Sequence, residues 1–329
     1  MPSLLPDLPR FTLLDGPSPL QPMPRFSSAL GGRADLWIKR EDLLPLAFGG
    51  NKLRNLEFHI GTALAEGADT LVTSGRRWSN HCRLTAAAGA KAGLSVHLVL
   101  SGPPADPPGP NQRLDELLGA TVYVTSTADQ AEREARVSTV VGELRGQGRR
   151  PYVVPVGGSG VEGAFGQVLA GLELAGQATD RALVVNAVVL PSATGGTQAG
   201  LMIGLEVAGL DARVLGVAVA HPPDELRPSI AALLRSLGEL AECRVDASEI
   251  ELDGSQLGEG YGRPTPAADE AMRLLARTEG ILVDPIYTAK ALAALVRDAR
   301  EGRFDGRAVV FWHAGGTPGL FESLGADQR

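Results

Sequence analysis

A lysine follows two glycines and an asparagine in the stretch Leu46–Glu57, which reads LAFGGNKLRNLE. Apolar residues continue after Lys52 at the spacing of one helix face, so we predict a helix over residues 52–66. Asn51 is a favourable N-cap residue. Near the positive end of the helix dipole the pKa of Lys52 is expected to fall, and a neutral amine is the form that makes a Schiff base with an aldehyde. The ordinary alternative is a solvated lysine on an amphipathic helix.

A second candidate is the glycine loop over 191–197, PSATGGT, which follows a predicted apolar strand and precedes a predicted helix. Backbone N–H groups around Gly195 and Gly196, the helix dipole and the hydroxyls of Thr194 and Thr197 can together hold a phosphate dianion there. The loop is neither a Walker A loop nor a Gly-x-Gly-x-x-Gly dinucleotide fingerprint. A tight strand-to-helix connection without a ligand is the alternative.

Three polar residues, Ser79, Asn80 and His81, follow the strand predicted over 70–74 and open a helix. Ser and Asn at a helix start ordinarily cap it. The same free N–H groups can bind a carboxylate, and the Asn80 amide can reach a ring oxygen. His81 is either an ordinary histidine at a helix start or part of the site.

Two of the four tyrosines occur in segments that suit a binding site. Tyr261 lies in the flexible sequence GEGYG, and Tyr287, followed by Thr288, lies in DPIYTAK at a turn into a helix. Either could be a surface or packing residue, but a phenol whose pKa is lowered can exchange a proton near neutral pH. The motif HAGGTP, which contains Ala314, follows the last predicted strand, where parallel sheets place ligand sites.

Together these separated motifs resemble one family. Residues 38–44, IKREDLL, and 48–52, FGGNK, resemble the lysine loop of the D-cysteine desulfhydrase and 1-aminocyclopropane-1-carboxylate (ACC) deaminase family. That family is a branch of the fold-type II, tryptophan-synthase-β-like pyridoxal 5′-phosphate (PLP) enzymes. The resemblance extends from about residue 35 to the C-terminus. It implies that PLP is the cofactor and that Lys52 binds it covalently.

The resemblance also implies roles for the other motifs. The loop Thr194–Thr197 would hold the cofactor phosphate, Asn80 would contact the 3′-oxygen, and Thr288 would face the pyridine nitrogen. Ser79 would act beside the substrate, while Tyr261 and Tyr287 would bind or protonate its side-chain end. The residues expected to contact the substrate are Trp78, Ser79, Asn80, His81, Gly158 and Ala314.

Several residues bear on the choice of substrate. Thr288 stands where the cyclopropane deaminases carry a glutamate, so the resemblance favours D-cysteine desulfhydrase, which gives pyruvate, ammonia and sulfide. Arg76, Arg77 and Trp78 depart from the family pattern and would narrow the pocket or admit a more acidic substrate, such as a sulfonate or a dicarboxylate. Ala314 replaces a usual threonine. The alternatives are ACC deaminase, a lyase for another β-substituted amino acid such as cysteate or a chloroalanine, and a PLP carrier without turnover.

The order of elements predicts an α/β protein with two lobes, each a largely parallel sheet covered by helices. The boundary between the lobes is predicted near residues 155–160, and the proline-rich residues 1–34 are predicted to be extended. The resemblance implies that the larger, PLP-binding lobe comprises residues 1–47 and 158–329, and the smaller lobe residues 48–157. Strands are predicted over 36–39, 70–74, 96–100, 121–124, 152–156, 187–190, 213–219 and 308–312. Helices are predicted over 52–66, 80–93, 112–118, 128–147, 163–175, 197–207, 224–237, 267–279 and 289–298, with a turn-rich break at 103–110 and a short helix after 318.

Composition narrows the class of protein. The 329 residues carry 31 − 38 = −7 formal charges, without a basic, aromatic-rich face for nucleic acid. No apolar run suits a membrane span, and residues 1–6 do not resemble a signal peptide. The two cysteines, without metal-ligand spacing, predict neither a disulfide framework nor a metal site. We therefore expect a protein of the reducing cytoplasm. The resemblance implies that it is an enzyme acting on a small amino acid and that it forms a homodimer.

Overall fold

The computed structural model describes residues 5–102, 108–126 and 129–324. The strands are β1 (Leu20–Pro22), β2 (Asp35–Arg40), β3 (Thr70–Arg76), β4 (Ser95–Ser101), β5 (Thr121–Thr125), β6 (Pro151–Val153), β7 (Val185–Ser192), β8 (Arg213–Ala218), β9 (Glu251–Asp253) and β10 (Ala308–His313). The helices are α1 (Pro24–Ala29), α2 (Lys52–Ala65), α3 (Asn80–Ala92), α4 (Pro110–Leu117), α5 (Gln130–Gly146), α6 (Val161–Asp180), α7 (Gly196–Ala208), α8 (Pro223–Leu240), α9 (Pro266–Glu279), α10 (Thr288–Arg300) and α11 (Thr317–Leu324).

The larger of two sheets has six strands in the order β1-β2-β10-β7-β8-β9. All neighbouring pairs are parallel except β1 with β2. Along β7 the side chains of Val188 and Leu190 join a core with α6, α7 and α8, whereas Ala187 and Val189 join a second core with α1, α9 and α10. Because successive strand residues point to opposite faces, both faces of this sheet are covered and the strand is apolar throughout.

The smaller sheet has four strands in the order β5-β4-β3-β6, all parallel. Leu71 and Leu98 pack with α2 and α3 on one face, while Val72 and Val99 pack with α5 on the other. The predicted α/β class with largely parallel, helix-covered sheets is therefore confirmed. The lobe boundaries at 47/48 and 157/158 stay a prediction.

The N-terminal segment differs from its prediction. Residues 20–22 form β1 and residues 24–29 form α1, so the segment is not extended throughout. Pro24 suits the first turn of α1 because the N–H that proline lacks would have no helical partner there. Leu13 packs in the core of the smaller sheet and Leu20 in that of the larger, so this segment contacts both. Residues 1–4 lie outside the described residues.

Three predicted segments differ from the structure or extend beyond the described residues. The predicted strand 152–156 was wrong at its end: β6 stops at Val153 because Pro155 cannot donate to a ladder, and a 3₁₀ turn follows over Val156–Gly158. Residue 128 of the predicted helix 128–147 and residues 103–107 of the predicted break lie outside the described residues. The short strand β9 was missed. Within the described ranges, none of the helices combines the length and low polarity that a bilayer span requires.

A buried ion-pair network joins α2 to the larger sheet. The Arg54 guanidinium, 3% exposed, donates to both carboxylate oxygens of Glu41 at 2.6 and 2.9 Å and to both of Glu173 at 2.9 Å. Lys39 also donates to Glu173. Glu41 is fully buried in the turn after β2, and Glu173 belongs to α6. Such a network tolerates no missing partner, since each removal leaves a buried charge.

We expect Glu41→Ala to lower the free energy of unfolding by about 3–5 kcal/mol, because it leaves the Arg54 charge buried with half its partners. The matched control is Glu270→Ala, which removes the exposed pair with Arg300 and should change the free energy by at most about 1 kcal/mol. Urea denaturation followed by circular dichroism measures both. Equal effects of the two substitutions would contradict a structural role for the network.

Candidate active site

A cavity of about 570 Å³ lies where the carboxyl ends of strands from both sheets meet. Arg76 ends β3, Ser192 ends β7, and Ala314 and Gly315 follow β10, and all of them line it. Lys52, at the first position of α2, lines the same space. Carboxyl ends of parallel strands are the place where open α/β folds bind ligands.

The loop before Lys52 has an unusual backbone. Leu46, Ala47 and Phe48 have φ values of 80°, 46° and 67°, and two glycines with positive φ follow. A Cβ on Gly315 would lie 2.6 Å from the Cα of Gly50, so the two backbones cross too closely for a side chain. The loop is fixed to the end of β10 by the hydrogen bond from Asn51 N to Ala314 O at 3.0 Å.

Asn51 does not cap α2 with its side chain, so that prediction was wrong. Its backbone is already helical, and its Nδ2 donates to Thr197 Oγ1 at 2.9 Å. Asn51 thereby links the lysine helix to the glycine loop before α7.

The predicted lowering of the Lys52 pKa is confirmed in direction, but its main cause differs. Desolvation by burial lowers the pKa to about 8, whereas the helix dipole was the expected cause. Among the described residues the Lys52 amine has neither a hydrogen-bond nor an ion-pair partner, which leaves it facing the cavity.

The glycine loop turns between β7 and α7 as predicted. Gly195 has φ 83°, and a Cβ there would lie 2.5 Å from Ile230 Cγ1, so only glycine fits. The Ser192 hydroxyl is buried without a hydrogen-bond partner in the described part of the chain. Thr194 Oγ1 contacts Ser159 Oγ at 2.5 Å. An unpaired hydroxyl and the free N–H groups of a helix start form a suitable cradle for a phosphate.

At the start of α3, Ser79 Oγ accepts from Cys82 N at 3.2 Å and caps the helix. The fully buried Arg83 donates to Asn80 Oδ1 at 2.6 Å and to Gly49 O at 3.1 Å. Because Arg83 occupies the amide oxygen, Asn80 presents its NH₂ group as a donor. His81 Nε2 lies 2.9 Å from Thr73 Oγ1, and burial lowers the pKa of His81 well below its usual value, so the ring is neutral.

The two tyrosines meet at one wall of the cavity. The hydroxyls of Tyr261 and Tyr287 form a hydrogen bond, and their ring centroids are 5.8 Å apart. Burial raises the pKa of Tyr261 and raises that of Tyr287 well above its usual value. The expectation of a lowered phenol pKa was therefore wrong, because desolvation outweighs the neighbouring positive charge. Both phenols are neutral hydrogen-bond donors.

Thr288 directly follows Tyr287 and is the first residue of α10. Its hydroxyl donates to Asp284 Oδ1 at 2.5 Å, and Asp284 accepts N–H groups from residues 286–288. The Thr288 proton is thus engaged. Its oxygen also accepts from Asp284 N at 2.9 Å, which leaves one lone pair available to the cavity.

Most of the sequence-predicted site residues line this one cavity. The lining includes Lys52, Ser79, Asn80, His81, Thr194, Gly195, Thr197, Tyr261, Tyr287, Thr288 and Ala314. Three predicted residues lie directly behind it. Trp78 packs edge-on against Tyr261 at 5.8 Å, Gly158 accepts from Asn55 Nδ2 at 2.8 Å, and Gly196 lies against Ser159. Their roles, like those of the lining residues, stay predictions.

Sequence reasoning missed several lining residues. Gln130 and Arg133 come from α5, and Glu225 and Ser229 from α8. These helices lie far along the chain from the lysine loop and carry no motif, so only the three-dimensional structure brings them to the site.

Comparison with known proteins agrees with this geometry. The family described as "Pyridoxal-phosphate dependent enzyme" matches residues 11–315. The chain belongs to that family. D-cysteine desulfhydrases of Salmonella newport and Salmonella typhi are each 40% identical to this chain. Each match covers 95% of this chain and 95% of the relative. Pyridoxal phosphate is therefore its cofactor.

Solved structures show the same fold. An "ACC deaminase homologue" superimposes with a TM-score of 0.92 at 35% identity, covering 99% of this chain and 98% of its own. A fungal L-serine ammonia-lyase from Rhizomucor miehei superimposes with a TM-score of 0.70 at 19% identity, covering 96% and 99% of the two chains, and shows the fold alone.

The titration of Lys52 can be measured through capture of the cofactor. Only the neutral amine attacks an aldehyde, so the capture rate should rise with pH and level off above about 8 rather than near the ordinary value of 10.5. Mixing cofactor-free protein with PLP from about pH 6 to about pH 11, and following the visible absorbance, measures it. A midpoint near 10.5 would contradict a desolvated Lys52, and Lys91→Ala, which changes an exposed lysine, should leave the profile unaltered.

Proposed function

We propose that this enzyme catalyses the PLP-dependent α,β-elimination of a small amino acid, with D-cysteine giving pyruvate, ammonia and sulfide. The observation that carries the proposal concerns the Lys52 amine, which has no partner among the described residues. It shares its cavity with the neutral pair Tyr261 and Tyr287. The amine is suited to remove a proton, and the phenols are suited to donate a hydrogen bond to a leaving group.

The residues present fit the cofactor. The loop Ser192–Thr197, with its glycine turn and unpaired hydroxyl, would hold the phosphate. The NH₂ group of Asn80, oriented by Arg83, would donate to the ring 3′-oxygen. When bound, PLP supplies an electron sink for the negative charge that develops at the substrate Cα.

The protein's own groups would bind the substrate, remove its Cα proton and stabilise the leaving group. Free N–H groups at the start of α3, beside Ser79, would bind the substrate carboxylate. The Lys52 amine would take the proton from Cα. The leaving sulfur would receive a hydrogen bond from the tyrosine pair, whose raised pKa keeps the phenols protonated.

Thr288 supports a desulfhydrase over the alternative of ACC deaminase. A carboxylate opposite the pyridine nitrogen would hold that nitrogen protonated and strengthen the ring as an electron sink. Thr288 offers a hydroxyl oxygen whose own proton is engaged by Asp284, which gives no comparable charge stabilisation. The 40% identity to D-cysteine desulfhydrases favours the same choice, while the ACC deaminase homologue keeps the alternative testable.

The deciding experiment is ketoacid release by PLP-loaded protein from D-cysteine and from 1-aminocyclopropane-1-carboxylate in parallel. We expect pyruvate with sulfide from D-cysteine, and no 2-oxobutanoate from the cyclopropane. Lys52→Ala should abolish both turnover and the visible absorbance of lysine-bound cofactor, since no other group replaces the amine. Lys91→Ala, at an exposed lysine, is the matched control. Release of 2-oxobutanoate, or turnover by Lys52→Ala, would overturn the proposal.

We also infer a cytoplasmic homodimer. Leu43 and Phe48, which flank the turn into the lysine loop, are 53% and 57% exposed and would be covered by a second copy. Cys82 and Cys243 are both free, as suits a reducing compartment. Sedimentation velocity should give twice the mass of the chain, and Phe48→Glu should shift it toward the monomer. A monomeric wild-type protein would contradict the proposed dimer. Recovery of the protein in a secreted fraction would contradict the proposed cytoplasmic location.

A further inference from the structure

Two arginines occupy the tyrosine wall of the cavity, and the chemistry described so far does not use them. Arg76 ends β3, and its Cζ lies 6.0 Å from the centre of the Tyr261 ring. Arg133 belongs to the first turns of α5 and is 7% exposed. Its Nη1 donates to Ser101 Oγ at 3.1 Å, whereas its Nε is buried without a partner among the described residues.

Neither guanidinium is neutralised by a carboxylate across the described ranges, where no ion pair involves Arg76 or Arg133. Burial, followed by repulsion from Arg76, lowers the pKa of Arg133. Glu134, the acid that acts on Arg133 electrostatically, is exposed and accepts from Gln130 Nε2 at 2.7 Å. Burial removes hydration from the Arg133 guanidinium, and an anion bound in the cavity would compensate for that loss.

An anion bound by Arg76 and Arg133 would be neither the cofactor phosphate nor the substrate carboxylate. The cofactor phosphate belongs at the loop before α7, and the substrate carboxylate at the start of α3. Tyr261 lies beside Arg76 and interacts electrostatically with Arg133, and all three line the cavity. In the proposed function Tyr261 is at the substrate's side-chain end, so the two guanidiniums lie on the side of the cavity where the group attached to Cβ would be.

We infer that Arg76 and Arg133 form an anion subsite for the β-substituent, so that the enzyme accepts amino acids that carry a sulfonate on Cβ. This inference rests on the proposed elimination and specifies its substrate class. Among simple anions a sulfonate fits because it can leave as sulfite, whereas a β-carboxylate is not a leaving group in an elimination.

The reaction balances without an oxidant or reductant. Lys52 takes the Cα proton, the Cβ–S bond breaks, and its electron pair leaves with sulfur as sulfite. The released 2-aminoacrylate adds water and yields pyruvate and ammonium. The sum is 2-amino-3-sulfopropanoate plus water giving pyruvate, ammonium and hydrogen sulfite. The same guanidiniums would stabilise the charge of a departing hydrosulfide.

Binding of a non-reacting analogue tests the subsite apart from turnover. 3-Sulfopropanoate lacks the amine and cannot react with the cofactor, and propanoate is the same acid without the sulfonate. Calorimetry on PLP-loaded protein should show 3-sulfopropanoate binding at least about tenfold tighter, the size of one charge-assisted hydrogen bond. Equal affinities would overturn the inference.

The variants identify the residue responsible. Arg76→Gln should reduce the preference for 3-sulfopropanoate to near unity, and Arg76→Lys should retain part of it because the charge remains. The control is Arg136→Gln on α5, which removes an exposed guanidinium that pairs with Glu143 and should leave the preference unchanged. Thermal unfolding of each variant shows whether a loss reflects misfolding. A folded Arg76→Gln that keeps the full preference would overturn the assignment.

Turnover separates this inference from the function on which it rests. Wild-type enzyme should release pyruvate and sulfite from one enantiomer of 2-amino-3-sulfopropanoate, and Arg76→Gln should lose more kcat/KM for it than for D-cysteine. Pyruvate from D-cysteine with neither sulfite release nor sulfopropanoate preference would remove the subsite and leave the elimination standing. A sulfopropanoate preference without ketoacid from any substrate would instead remove the elimination.

Discussion

The start of the helix that carries Lys52 is anchored by a buried guanidinium two residues later. Arg54 is buried between two carboxylates, and four N–H groups of one rigid fork satisfy both. Because Glu41 follows β2 and Glu173 belongs to α6, this fork fixes the start of α2 against two elements of the larger sheet. Few other side chains could do so, since a lysine would offer a point charge without the bidentate geometry. Lys52, at the first position of α2, therefore lies at an anchored helix end.

The loop before Lys52 shows what this anchorage supports. Three consecutive non-glycine residues, Leu46–Phe48, adopt left-handed backbone angles, which cost on the order of 1–3 kcal/mol each. The loop is retained by Gly50 N donating to Glu41 O at 2.9 Å and by Asn51 N donating to Ala314 O. The same turn that holds Arg54 thus holds the strained loop. Backbone strain and a desolvated amine occur together, as is expected where a side chain is held in place before its ligand arrives.

How much of this was predictable depends on the range of each interaction. The elements around Lys52, Ser79 and the glycine loop followed from local spacing and turn residues, because each is determined by its own segment. The electrostatics did not follow. The Lys52 and tyrosine pKa values are set by burial, and Arg83 orients Asn80 through contacts that span the fold. Arg133 could not be recognised at all, because α5 has the sequence of an exposed helix and reaches the cavity only through the sheet order.

The groups that would bind negative charge in the cavity differ in how well they can distinguish one substrate from another. In the proposed function, helix N-termini would bind the cofactor phosphate and the substrate carboxylate. Every amino-acid substrate carries that carboxylate, so these helix ends would confer affinity without distinguishing substrates. In the proposed subsite, the guanidiniums of Arg76 and Arg133 would face the group that varies between substrates. A thiol in the ground state leaves them unpaired, and they gain a partner only as hydrosulfide departs, so for cysteine they act on kcat. A sulfonate pairs with them from the start, so for it they act first on KM. The same two side chains would therefore favour both substrates, but through different kinetic constants, because the charge would appear at different stages of the reaction.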